Sequence, residues 1–191
     1  LDIYGELLDA VYLYDKHAEP ISYEFWLNIS QQVNWVCDHW KLEDEGIWEV
    51  RGGKREFLYS RLMCWVALDR SIKIAQAHSY PLPTRWQNER DKIFRSIHDE
   101  FWNSELKCFV QYKGSETVDA ATLLMPLVRF IGPKDPRWLS TLTRIEERLV
   151  SDSLVYRYRT DVGFDGLTGG EGTFSMCTFW YVECLSKSGQ L

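Results

Sequence analysis

The sequence predicts an all-α fold, a two-layered ring of helix hairpins, and three observations predict it. Apolar residues recur at helical spacing along nearly all of the 191 residues, and strand-like alternation is nearly absent. Stretches that are apolar almost all round alternate with stretches that carry one apolar stripe and one charged face. A helix apolar on every side must be covered on most sides, and an amphipathic neighbour can cover it while facing water. Inner, outer, inner, outer is the order such a ring produces.

Seven helical stretches follow, at about 3–17, 22–42, 55–78, 84–102, 117–131, 136–150 and 173–187. The first reads as inner. The second is outer and opens at Ser22, whose hydroxyl is placed to cap free N–H groups. The third, inner, contains Phe57-Leu58-Tyr59-Ser60-Arg61-Leu62-Met63-Cys64-Trp65 and stops before Pro81-Leu82-Pro83. The fourth starts at Thr84 and is charged on one face through Arg85, Glu89, Lys92 and Arg95. The fifth, around Ala120-Ala121-Thr122-Leu123-Leu124, is inner and stops at Gly132-Pro133. In the sixth, outer, Asp135 precedes Pro136 at the first helical position, where a missing N–H costs nothing. The seventh starts at Thr173, and its Phe174-Ser175-Met176-Cys177-Thr178-Phe179-Trp180-Tyr181-Val182 run is apolar enough to be enclosed on most sides.

The connections obey the same logic. Inner-to-outer links near 17–21, 79–83 and 132–135 are short, whereas outer-to-inner links at 43–54, 103–116 and 151–172 are long and rich in Gly, charged and aromatic residues. In an alternating ring the three long loops must share one rim. Loops gathered at one end of a rigid scaffold are where ligand sites are usually built.

Composition narrows the ligand. The chain is 45% hydrophobic and 26% charged, which is globular rather than disordered, and its net charge of -6 disfavours nucleic acid and anionic membrane as partners. No apolar run approaches the length of a membrane span, and no signal peptide opens the chain. Cys37, Cys64, Cys108, Cys177 and Cys184 form no C-x-x-C pair and read as reduced core residues of a cytoplasmic protein. The four histidines lack ligand spacing, so no metal and no cofactor is expected. The nine Trp within a 15% aromatic content exceed ordinary packing needs, and sugars are one ligand class that faces such rings.

Two loops carry candidate chemistry. In Glu43-Asp44-Glu45-Gly46-Ile47-Trp48-Glu49-Val50-Arg51, an indole beside a carboxyl can desolvate it and keep it protonated as a general acid. The same residues also fit a solvated turn in which Glu49 pairs with Arg51. In Tyr156-Arg157-Tyr158-Arg159, planar donors interleave with rings suited to sugar stacking, yet Arg157 and Arg159 have Asp152, Asp161 and Asp165 as alternative partners. Gly169, Gly170 and Gly172 do not form a phosphate-binding pattern. Glu171, just before the last helix, either lines a pocket or simply stabilises the helix N-terminus. Trp102, Phe109 and Tyr112 of the second loop are candidates for the same rim, Trp102 equally for a core anchor.

The run Asp44-Glu45-Gly46-Ile47-Trp48-Glu49-Val50-Arg51-Gly52-Gly53 with Met63-Cys64-Trp65-Val66-Ala67-Leu68-Asp69-Arg70 resembles the bacterial and archaeal branch of glycoside hydrolase family 15, the glucoamylase and trehalase family. Asp2-Ile3-Tyr4-Gly5-Glu6-Leu7-Leu8-Asp9-Ala10, Asp119-Ala120-Ala121-Thr122-Leu123-Leu124 and Val155-Tyr156-Arg157-Tyr158-Arg159 agree in order. The resemblance implies part of an (α/α)6 barrel and inverting hydrolysis of α-glucosidic bonds, with two carboxyls roughly 6.5–9.5 Å apart. It implies that Glu49 is the general acid, that Trp48 contacts the sugar, and that Arg157 binds it at the bond being cleaved, with Arg51, Tyr158 and Arg159 as further substrate contacts. Val50 departs from the second Glu of fungal glucoamylases, which removes their aglycone recognition as a guide. The Gly-Ile-Trp-Glu-x-Arg-Gly form leans towards trehalase-like members.

By the same resemblance the general base belongs to a later loop, beyond Leu191, with Glu171 as the fallback candidate. Residues 1–191 are then expected to be an incomplete barrel lacking its first helices, a preceding β-sandwich domain and its final helices, and inactive alone. Exposed barrel edges would favour self-association. The alternative function is a helical-hairpin scaffold that binds carbohydrate or a partner protein without chemistry.

Overall fold

The computed structural model describes residues 1–49, 52–159 and 172–190. Among them, the chain runs through α1 (Ile3–His17), α2 (Tyr23–His39), α3 (Leu58–His78), α4 (Thr84–Glu100), the two-residue strands β1 (Trp102–Asn103) and β2 (Cys108–Phe109), and a 3-10 turn (Ala120–Leu123) that leads into α5 (Leu124–Leu127). It continues with α6 (Pro136–Leu149), the strands β3 (Val150–Ser151) and β4 (Leu154–Val155), and α7 (Ser175–Ser188). Each strand pair is a small antiparallel hairpin inside a connection rather than a layer of the fold.

The inner and outer alternation holds. Nearly every position of α3 is buried, and α3 packs on α1, α2, α4 and the 3-10 turn. The amphipathic helices α2, α4 and α6 turn Trp26, Trp86 and Trp138 into the core, where all three are almost inaccessible. Two buried arginines sit among the apolar residues of α3, each matched to acceptors: Arg70 donates to Asp9, Asp69 and the Val128 carbonyl, while Arg61 donates to Ser96 and Glu56. All five cysteines are buried and free. Among the described residues, no helix is long and apolar enough to cross a membrane.

The structure departs from the sequence reading in three places. The single helix expected at 117–131 is a 3-10 turn followed by one short helix, because Pro126 has no N–H and its ring crowds the carbonyl four residues back, at Thr122. Arg129, at φ +65°, then ends that segment. The caps at Ser22 and Asp135 form as read, accepting from Phe25 N–H and Arg137 N–H. The fourth helix starts at Thr84 as read, whereas the seventh starts at Ser175 rather than Thr173; Pro83 and Phe174, which precede them, are extended and neither uses a side-chain oxygen as a cap. Finally, α7 is not enclosed. Met176, Phe179 and Val182 are exposed, as are Ile3, Leu7 and Tyr14 of α1, because α1 and α7 are the first and last inner helices and each has an inner neighbour on one side only among the described residues.

Candidate active site

Three connections converge at the N-terminal ends of the inner helices. The one between α2 and α3 is closed at its neck by reciprocal backbone hydrogen bonds between Asp44 and Arg55, 2.9 and 3.0 Å. The one after α4 lies against it, with Leu58 N–H donating to the Gln111 carbonyl and Lys113 N–H to the Glu56 carbonyl. The one after α6 joins the second where Ala120 N–H donates to the Arg157 carbonyl at 2.8 Å, and meets α7 where Phe174 N–H donates to the Val155 carbonyl at 2.8 Å. The long loops therefore share one rim, as alternation requires.

At the centre of that rim Trp48 donates its indole N–H to both carboxylate oxygens of Asp119, at 3.0 and 2.9 Å. Asp119 opens the 3-10 turn in an extended conformation and accepts Ala121 N–H at 2.7 Å, while Gln111 Nε2 donates to it at 2.9 Å. Burial pushes the Asp119 carboxyl up to about 6, and those hydrogen bonds together with the positive charge of Arg157 keep it from going higher.

The Arg157 guanidinium lies 5.1 Å from the Trp48 ring centre and 5.6 Å from those of Tyr158 and Phe174, within cation–π range of all three. Phe174 meets Trp48 edge-on at 5.9 Å. Tyr158 is buried with Phe57 in a small apolar cluster that Trp48 and Tyr112 complete. The result is a half-buried indole, held by its N–H and flanked by a cation and three aromatic rings. Its chemistry suits a ligand with one apolar face and several hydroxyls.

Glu49 follows Trp48 on a turn. Its N–H donates to the Gly46 carbonyl at 3.1 Å, and its backbone lies at φ +48°, a left-handed conformation that a residue with a side chain adopts at a cost of about 1–2 kcal/mol. At Gly46, φ +67°, a side chain would be strained, and its Cβ would press on the Phe57 ring at 3.0 Å. The Glu49 side chain is exposed. The buried carboxylate beside the Trp48 indole is that of Asp119.

The other sequence candidates divide. Arg157 and Tyr158 come together with Trp48, whereas Arg159 is exposed and lines a groove with Tyr112, Thr117, Arg144 and Arg148. Arg51 and Glu171 lie outside the described residues, as do Gly169 and Gly170. Tyr112 reaches the rim, with Phe57 at 5.9 Å and Arg55 at 4.5 Å, but Phe109 is fully buried and Trp102 packs on it at 5.2 Å as a core anchor. Sequence reasoning gave no role to Asp119 or Gln111. Asp119 carried a usable signal, an acidic residue immediately before an inner helix and hence at the rim.

The family model for glycosyl hydrolases family 15 matches residues 1–190. The chain is 41% identical to a trehalase of Mycobacterium tuberculosis, over 100% of this chain and 28% of that protein, and 35% identical to a trehalase of Thermoplasma volcanium, over 97% of this chain and 30% of that one. Among solved structures it is similar to a glycosidase variant in complex with glucose (TM-score 0.83) and to a wild-type glycosidase (TM-score 0.81), each 19% identical over 99% of this chain and 49% of the other. The chain thus spans under a third of these curated relatives' length. The structural likeness concerns fold, and the alternating helices form part of an (α/α)6 barrel.

Proposed function

The chain belongs to glycosyl hydrolases family 15, and from that premise we propose that it carries the general acid and part of the glucosyl-binding surface of an inverting glycosidase acting on α,α-trehalose. The observation that carries the reading is the rim cluster in which Trp48, held by Asp119 and flanked by Arg157, stands immediately before Glu49. Both relatives named above are trehalases, which favours trehalose over an α-glucan.

In this mechanism the Trp48 ring packs against the apolar face of one glucosyl unit, and Arg157 and Arg51 donate to hydroxyls, with Tyr158 backing the indole. Glu49 gives its proton to the glycosidic oxygen as the C1–O bond breaks with its electron pair on that oxygen. Water attacks C1 from the opposite face while a second carboxylate takes its proton, leaving one glucose with inverted anomeric configuration. Within this chain Glu171 is the candidate for that second carboxylate.

Replacing Glu49 with Gln in the full-length protein tests the assignment. Glucose release from trehalose should fall by about 10²- to 10⁴-fold, and wild-type protein should first release α- and β-glucose in equal amounts, as read by proton NMR, where retention would give α-glucose alone. Undiminished turnover by Glu49→Gln removes Glu49 as the acid. A tryptophan fluorescence response to trehalose without glucose release by the wild-type protein would favour a binding scaffold instead.

A further inference from the structure

We propose that Asp119 is the positioning residue of this site, a buried carboxylate that locks the Trp48 indole and, through the adjoining backbone, the left-handed turn at Glu49. The inference deepens the glucosyl-binding reading above and depends on it for its effect on substrate. Its geometric basis is independent.

Asp119 is 5% exposed and gathers donors from three separate pieces of chain: Trp48 from the first connection, Gln111 from the second, and Ala121 from its own turn. Because the indole N–H is shared between both carboxylate oxygens, the ring is restrained against rotation as well as displacement. Gln111 is held in turn, its N–H donating to the Thr117 carbonyl at 2.9 Å and its carbonyl accepting from Leu58 at 2.9 Å. The carboxylate is thus fastened to the start of α3, the core helix of the fold. The charged and titratable groups around it are Arg157 on the third connection and Glu45 and Tyr59, which line the same small cavity.

A helix cap alone does not need this residue, since an Asn or Ser can accept Ala121 N–H equally well. What Asn cannot do is accept from all three donors with both terminal atoms, because its NH2 would face an N–H. Asp119→Asn therefore keeps the shape but, with its oxygen towards Ala121 N–H, turns its NH2 on Gln111 Nε2 and leaves the indole N–H one acceptor in place of two.

The test uses full-length protein carrying 5-fluorotryptophan, with the Trp48 fluorine resonance assigned by its disappearance in Trp48→Phe. In Asp119→Asn the Trp48 resonance should shift while those of the core residues Trp26, Trp86 and Trp138 stay in place, and kcat/KM for trehalose should fall about 10- to 100-fold. In unsubstituted protein the Trp48 resonance should move in a single step as pH crosses the ionisation of Asp119. A Trp48 resonance unmoved both by the substitution and by pH between 4 and 8 overturns the proposal, as does an equal movement of all four resonances. Glu49→Gln separates the two readings: it should lower turnover about 10²- to 10⁴-fold without moving the Trp48 resonance, and undiminished turnover there would refute the acid assignment while leaving Asp119 to be judged by the fluorine spectrum.

Discussion

A methyl group placed on Gly5 would stand 2.2 Å from the carbonyl oxygen of Met63, far inside van der Waals contact. The first and third helices therefore touch backbone to backbone at this crossing, and no side-chain rotation can relieve an added atom. Overpacking that side chains can absorb costs about 1–3 kcal/mol. Gly5→Ala should reach or exceed the top of that range and lower the melting temperature of the full-length protein by several degrees. An unchanged melting temperature would mean that the two helices do not meet here.

Arg61 is buried between the rings of Trp40 and Phe101, 4.7 and 5.6 Å from their centres, and donates to Ser96 and Glu56. Its planar fork is what lets one cation stack and pair at once. Lysine should not replace it. Removing the charge strands Glu56, but Glu56 is partly exposed and keeps Lys113 at 3.3 Å, so the cost should be roughly 2 kcal/mol rather than the 3–5 kcal/mol of a fully isolated buried charge. Urea midpoints of Arg61→Lys and Arg61→Met should both fall.

Asp119 makes stability depend on pH in an uncommon direction for a carboxyl. Its pKa rises from 3.8 to about 6 on folding, so between those values the folded chain holds a proton that the unfolded chain has released. The contribution is present below about pH 4 and is lost as pH rises through about 6. By neutral pH the ionised group costs roughly 3 kcal/mol relative to its neutral form. Asp119→Asn cannot ionise, so its unfolding free energy relative to wild type should improve by roughly that amount from about pH 4 to pH 7. A parallel pair of pH profiles would contradict the burial described for this group.

Burial pushes the thiol of Cys37 up to about 11 and those of Cys64 and Cys184 up to about 12. Thiolate is the reactive form, so these three should resist alkylation near pH 8 until the fold opens. Peptide mapping after iodoacetamide treatment, with and without denaturant, checks this site by site. Prompt native labelling at Cys64 would contradict its place in the core.

The features legible in the sequence are those set by neighbours in the chain. The caps at Ser22 and Asp135 depend on residues two or three positions away, and the inner or outer character of a helix depends on its own periodicity, so both could be read directly. The apolar run at 117–131 predicts one helix, but the effect of Pro126 is steric rather than hydrophobic and divides that run into a 3-10 turn and a short helix. Trp48 and Glu49 stand out because they adjoin each other. The bond that fixes Trp48 spans 71 positions to Asp119, and no local pattern encodes it. The apolar character of α7 likewise suggested enclosure, but enclosure requires a neighbour as well as a suitable face.

The reciprocal hydrogen bonds between Asp44 and Arg55 give the segment they bracket a fixed doorway. Changes of length or composition inside the doorway need not propagate into the second or third helix, which are anchored outside it. On the function proposed above, the segment would act as an exchangeable cassette, in which substrate preference should change while the barrel keeps its melting temperature. Grafting the equivalent stretch of a relative with a different preference would show whether the two properties separate in practice.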